Sequence, residues 1–191
     1  MATVSIEIPE ITIVSYGQER GDEDYGSCLW ARFYFDRRHY HLSIESDCGN
    51  YGNGWYPTPD HETFLQLCSR FEMGYLLDKI SNRSVVDGVE THKALMEFLE
   101  DYDTFAYEAL SEIQREELDS ACRTNKSADD TMTAILDNLE DTQFQSCIGP
   151  YDIACCIEMT YPRGAKKIAE IFRDHIQPVL RELTRKENND D

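Results

Sequence analysis

His39-x-His41 sets two imidazoles two residues apart, the spacing that shares one face of a β-strand, and Cys48, His61 and Cys68 follow downstream. Zinc accepts these ligand types, but it requires a defined set of four, or three and a water. The sequence has no Cys-x-x-Cys and no His-Glu-x-x-His to complete such a set. No metal and no cofactor is therefore assigned, and partly buried or surface histidines are the expectation. Cys155-Cys156, read as part of a strand, would point to opposite faces. Gly49-Asn50-Tyr51-Gly52-Asn53-Gly54 has the composition of a phosphate loop without its chemistry. No Lys-Ser/Thr follows it and no Gly-x-Gly-x-x-Gly spacing occurs, so a turn with positive φ is the reading. A cysteine nucleophile needs a base and an orienting group, and none of the seven cysteines carries a local signature for one. No catalytic residue is assigned.

Carboxylates are the other chemistry-bearing group. Between Asp87 and Ser146 stand sixteen acids against four bases, a net −12 in under a third of the chain. Glu108, Glu112, Glu116 and Asp119 recur at steps of four, four and three, which on one helix is one face. Neighbours at that spacing lie about 6 Å apart along the axis. Like charges at i,i+4 cost a few tenths of a kcal/mol per pair, so such a row does not serve helix stability. With Asp129 and Asp130 these residues form a candidate surface for a basic partner, in the manner of a phosphate backbone; the competing reading is a solvated face that keeps the protein soluble.

The whole chain has 191 residues and a formal charge of −19. That field disfavours direct nucleic-acid and anionic-membrane binding, and favours a basic protein or the DNA-binding groove of one. The apolar fraction of 41% suffices for a core. No apolar run reaches the roughly 20 residues of a membrane helix, and Met1 to Glu7 lacks the pattern of a signal peptide. Seven scattered cysteines read as free thiols in a reducing cytoplasm.

The elements expected to hold these residues are strands first and helices later. Val4–Tyr16, Cys28–Phe35 and His39–Ile44 show strand alternation, with Asp36-Arg37-Arg38 as a hairpin connection. Gly49–Asp60 reads as irregular or as a short bulged strand, and Asp60 as the N-cap of a helix carrying Phe64, Leu65, Cys68 and Phe71. A short helix with Tyr75 to Ile80 follows. Glu90–Gln143 reads as three helices, whose inward residues are Leu95, Phe98, Leu99 and Tyr102, then Ala106, Leu110, Ile113 and Leu118, then Met132, Ile135, Leu136 and Leu139. Ser127 is the expected cap of the third. Ile153–Thr160 is expected as a late strand, and Pro162 as the start of a long helix kinked at Pro178. The fold class is α+β: an antiparallel sheet from the N-terminal half packed against helices, an acidic three-helix segment and a long kinked C-terminal helix. The expected organisation is one domain, with 1–86 as sheet and short helices, 87–146 acidic helices, 147–186 late strand and final helix, and 187–191 a frayed tail.

Ser46-Asp47-x-Gly49-x-Tyr51, then Trp55, Phe64-Leu65 and Tyr75-Leu76-Leu77-x-Lys79-Ile80 form an ordered series. It resembles a group of small acidic proteins of unknown function carried by bacteriophages and prophages. Tyr161-Pro162, Phe172 and Ile176-Gln177-Pro178-Val179 are similar to the end of the same proteins. The resemblance covers about residues 39–82 and 151–185 and implies no catalytic residue. Physically, Trp55, Tyr75, Leu76 and Ile80 read as core, Asp47 as the cap of its own turn, and Lys79 as the partner of an acid.

Together these readings favour a phage or prophage accessory protein that binds a basic or DNA-binding host protein through its acidic helices, as an anti-defence inhibitor or DNA mimic. An enzyme near the Gly49–Trp55 loop using His39 or His41 is one alternative. Self-association of the basic-leaning helix Arg163–Lys186 with the acidic helices of a second copy is another.

Overall fold

A computed structural model describes residues 10–57, 62–124, 127–140 and 142–187. Val4 to Ile8, Pro59, Asp60, His61, Asn125, Lys126 and Asp141 lie outside the described residues. The chain divides into two compact units, Met1–Asn82 with Pro162–Asp191, and Arg83–Tyr161.

The first unit is built on a four-stranded antiparallel meander, β1 (Ile11–Gly17), β2 (Trp30–Asp36), β3 (His41–Ser46) and β4 (Tyr51–Gly54), paired in chain order. Alternation along β2 and β3 turns Ala31, Phe33, Phe35, Leu42 and Ile44 to one face, all buried. The register sets Phe33 opposite Ile44 and Phe35 opposite Leu42. Asp36 accepts from the Arg38 and His39 amides, and Tyr40 takes the left-handed conformation (φ 52°) that closes the β2–β3 turn. In β1 the alternation is inverted from what the apolar residues suggest. Ile11 and Ile13 are exposed, 46% and 56%, while Thr12, Val14 and Tyr16 are half-buried.

Helices cover the buried face. In α1 (Phe64–Cys68) the cap is Thr63, joined reciprocally to Gln66 in a capping box. Next is α2 (Met73–Ile80), which buries Leu76, Leu77 and Ile80. The final helix begins as α8 (Arg163–Ile171), passes through a π turn at Phe172–Ile176 and continues as α9 (Gln177–Glu187). Pro178 explains that turn. It has no N–H to give the Asp174 carbonyl, and its ring would clash there, so the ladder widens one turn earlier and Gln177 N–H reaches Phe172 O. The irregularity expected at Pro178 is this π turn, one turn before the proline. Phe172 sits at the centre of an aromatic cluster with Phe33, Phe35 and Phe71, at ring distances of 5.8, 6.4 and 6.4 Å.

Trp55 is half-buried against Phe71 and donates to the Tyr75 hydroxyl (2.8 Å). Tyr75 itself is 41% exposed, not core, and Lys79 lies over its ring.

The second unit is helical: α3 (Gly88–Tyr102), α4 (Thr104–Glu108), α5 (Glu112–Thr124), α6 (Ala128–Leu139) and α7 (Pro150–Ala154), with a two-residue ladder of β5 (Val85–Val86) and β6 (Met159–Thr160). Its core is aliphatic for the most part: Leu95, Leu99, Leu110, Leu118, Ile135, Leu139 and Ile153, with Phe144. Caps fall where side chains can serve them: Asp87, Asp103 and Ser127 accept from the amides of Glu90, of Phe105 and Ala106, and of Asp130.

Two expectations fail here. Ile153–Thr160 is no strand over most of its length, because Pro150 opens a helix that runs to Ala154, and only Met159 and Thr160 pair. The helix expected to carry Ala106 to Leu118 is two helices. Ser111 and Gln114 cap each other reciprocally, Ser111 N–H to Gln114 Oε1 at 2.9 Å and Gln114 N–H to Ser111 Oγ at 3.3 Å, which starts α5 afresh. Ile113 consequently faces outward, 66% exposed, and Tyr102, the last residue of α3, is also exposed, 49%.

Candidate functional site

The acidic row is therefore not one helix face. Glu108 ends α4, while Glu112, Glu116 and Asp119 lie on α5 beyond the Ala109–Ser111 break. Their surroundings differ. Asp119 is tied to Arg123 (2.7 Å) and to His92 (3.3 Å). The Arg123 pair has the favourable order, acid before base at i,i+4. Glu112, Asp129 and Asp130 occupy first helical turns, where a carboxylate complements the positive end of the helix, and Asp130 also accepts from the Ser127 hydroxyl (2.6 Å). Glu108 and Glu116 are exposed and make no ion pair or side-chain hydrogen bond among the described residues.

Taken whole, the second unit has eighteen acids and five bases, a net −13. Arg115, in the midst of these acids, is used on the chain itself. It donates to the carbonyls of Tyr107 (2.6 Å) and Leu110 (3.4 Å) and stacks over the Tyr107 ring. On either side of the Ala109–Ser111 turn, Phe105 is 84% and Ile113 66% exposed. Both side chains stand at the surface of the second unit, with Glu108 and Glu112 as their neighbours in sequence. The helical periodicity concealed them by making Ile113 look internal.

The first unit holds a different arrangement around the Ser46–Gly49 turn. Ser46 Oγ donates to Gly49 O (2.6 Å) and accepts from Cys48 N–H (3.1 Å). Asp47 does not cap its own turn. Its carboxylate accepts from the Leu29 amide (2.9 Å), the Trp30 amide (3.4 Å) and the Cys28 thiol (3.3 Å), fastening the start of β2. Desolvation opposes its charge, but these donors prevail and hold the carboxyl below the usual range. Burial first, then hydrogen bonding with Cys48 and Asp47, pushes the Cys28 thiol well up. The Tyr51 hydroxyl donates to Cys48 O (2.9 Å), and Gly164 of α8 packs so closely that a Cβ there would lie 2.2 Å from the same oxygen.

Beside this turn is a cleft of about 570 Å³, lined by Ser27, Cys48 and Gly164, with Arg163, Lys166 and Lys167 against the single acid Glu170. Lys167 is joined to Asp24 and lies 3.6 Å from Glu170.

The histidines named from the sequence do not converge. His39 Nδ1 lies 2.8 Å from Asp36 Oδ2 in the hairpin turn, whereas His41 opens β3 with Nδ1 3.3 Å from Ser43 Oγ. Cys68 is buried in α1, and His61 lies outside the described residues. Cys48 meets Cys28 and Asp47 instead. No sequence signal marks this meeting: the hairpin register, continued past the Ala31–Ser46 pair, sets Leu29 and not Cys28 opposite Cys48. The Gly49–Trp55 loop is largely strand β4.

No helix among the described residues is long and apolar enough to cross a membrane. No curated protein and no solved structure matches the chain. A model described as a phage family matches residues 15–182, including the acidic helices as well as the Ser46–Gly49 turn and the final helix. With most of its length matched in one stretch, the chain belongs to this phage family.

Proposed function

We propose that this is a phage accessory protein whose second unit binds a basic protein of the host cell, such as a DNA-binding or defence enzyme, as an inhibitor or DNA mimic. The observation that carries the reading is the exposure of Phe105 and Ile113 beside the unneutralised carboxylates Glu108, Glu112 and Glu116. A fold gains nothing from leaving a phenylalanine in water, at roughly 1.5–3 kcal/mol for a buried side chain of that class. A partner with an apolar recess and a basic rim would bury the rings and pair with the acids, the usual division between anchoring and steering groups. Asp119 has a smaller part, since Arg123 already pairs with it.

The test is affinity capture from bacterial lysate with the wild-type chain and with Phe105→Ala/Ile113→Ser. The reading expects a basic host protein that is retained by the wild type, released as salt rises and absent from the variant. Equal retention by both chains would remove the apolar anchors from the account.

A further inference from the structure

The Ser46–Gly49 turn carries an inference independent of the acidic helices. The Cys28 and Cys48 sulfurs and an Asp47 oxygen lie within 4.8 Å of one another. Cys28 is fully buried, Cys48 half-buried, and Asp47 exposed. Two thiols and a carboxylate are a zinc-type donor set, because soft sulfur selects thiophilic cations over magnesium or calcium. Tetrahedral zinc, with Zn–S of about 2.3 Å and Zn–O of about 2.0–2.2 Å, holds its ligand atoms roughly 3.5–3.8 Å apart. Small adjustments of the side chains reach that geometry.

The thiols now donate to carbonyl oxygens, Cys28 to Trp30 (3.5 Å) and Cys48 to Ser27 (3.1 Å), and the surroundings hold all three donor groups in place. The Leu29 amide holds Oδ2 of Asp47, while Oδ1 accepts from the Trp30 amide (3.4 Å) and from the Cys28 thiol and so lies beside the sulfurs. Such outer hydrogen bonds orient metal ligands. Cys48 is fixed by the Ser46 hydroxyl at its amide and by Tyr51 at its carbonyl. It also lines the 570 Å³ cleft, which gives a fourth ligand access.

We propose that Cys28, Asp47 and Cys48 bind one thiophilic divalent cation of the zinc class, with the fourth position open to the cleft. On binding, the cation replaces the two thiol protons, which pass to solvent, and two thiolates, the carboxylate and the dication carry the same net −1 as the two thiols and carboxylate they replace.

The experiment uses Co²⁺ as the probe, titrated into the reduced full-length chain under anaerobic conditions. The expected result is one equivalent bound, with a thiolate-to-cobalt charge-transfer band and the strong visible bands of a tetrahedral site, both abolished by Zn²⁺. Cys28→Ser and Cys48→Ser should each lower affinity by more than the roughly 10–100-fold that loss of an outer partner costs. Cys147→Ser/Cys155→Ser, which removes two exposed cysteines outside the site, should change nothing. Asp47→Asn guards against misfolding: it keeps shape and both thiols, and should leave a weaker site with a shifted visible spectrum. No charge-transfer band in the wild type overturns the proposal. So does a band that survives Cys28→Ser/Cys48→Ser or disappears in Cys147→Ser/Cys155→Ser.

Discussion

The two units of this chain handle charge in opposite ways. In the first, four aspartates hold structure. Asp24 joins Lys167, Asp36 holds the β2–β3 turn, Asp47 fastens β2, and Asp174 pairs with Arg173. In the second, Asp87, Asp103 and Asp119 have such duties, while Glu108, Glu112 and Glu116 stand in solvent near two exposed apolar side chains. The cores differ as well: aromatic around Phe172, aliphatic around Leu99 and Leu118. The lesson is that the charge of Glu108, Glu112 and Glu116 is not demanded by the fold of the second unit, since all three can be neutralised without touching the packed leucines or the capping aspartates.

The largest effects expected are in the cores. Phe172→Ala should cost about 3–5 kcal/mol and Leu99→Ala about 2–5 kcal/mol. Trp30 and Trp55 both belong to the first unit, so fluorescence-detected denaturation reads the former, while far-UV circular dichroism reads helix loss in the latter. A Phe172→Ala chain with an unchanged fluorescence midpoint would break the picture of an aromatic centre. Phe105→Ala sharpens the contrast from the other side. Its stability should stay within about 0.5 kcal/mol of wild type, as for a surface site. Its partner affinity should fall by about 2 kcal/mol, as for an interface anchor.

Smaller is the loss of a cap. Asp103→Ala leaves the Phe105 and Ala106 amides without their acceptor and should cost about 0.5–2 kcal/mol, measured by urea denaturation.

The smallest effect is one of pH. The hydrogen bond from Lys167 first, against slight desolvation, lowers the Asp24 carboxyl, and the same bond raises the Lys167 ammonium. A lowered carboxyl stabilises above its unfolded value of about 3.9, and that contribution is lost as pH falls through the folded value. A raised lysine stabilises below about 10.4, and that contribution is lost as pH rises through its folded value. Asp24→Asn should therefore flatten the stability profile at both ends, and an unchanged profile would show the pair to be inert.

Much of this was legible in the sequence where the signal is local. Alternation marked β2 and β3, Ser127 marked a cap, and the apolar spacing of Leu95, Leu99, Ile135 and Leu139 marked buried stripes. The α4–α5 break was missed because Ala106, Leu110 and Ile113 keep helical spacing across it, and only Ser111-x-x-Gln114 betrays the restart. Asp47 was misassigned because its partners lie eighteen and seventeen residues upstream, where periodicity says nothing. Cys28 meeting Cys48 is likewise a tertiary feature, since the β2–β3 register, continued, sets Leu29 opposite Cys48. The acidic surface was visible as charge, but its apolar anchors were not, because exposure belongs to tertiary structure.

The central claim is that partner binding resides in the carboxylates of the second unit and not in the overall charge. The direct measurement is the affinity of the captured partner for three chains: wild type, Glu108→Gln/Glu112→Gln/Glu116→Gln, and Glu19→Gln/Glu23→Gln/Glu182→Gln. The two variants carry the same net charge, and the second alters exposed acids of the first unit only. The account predicts at least about a tenfold loss, roughly 1.4 kcal/mol, and a weaker salt dependence for the second-unit variant alone. Equal losses in both variants, or none in either, would contradict it.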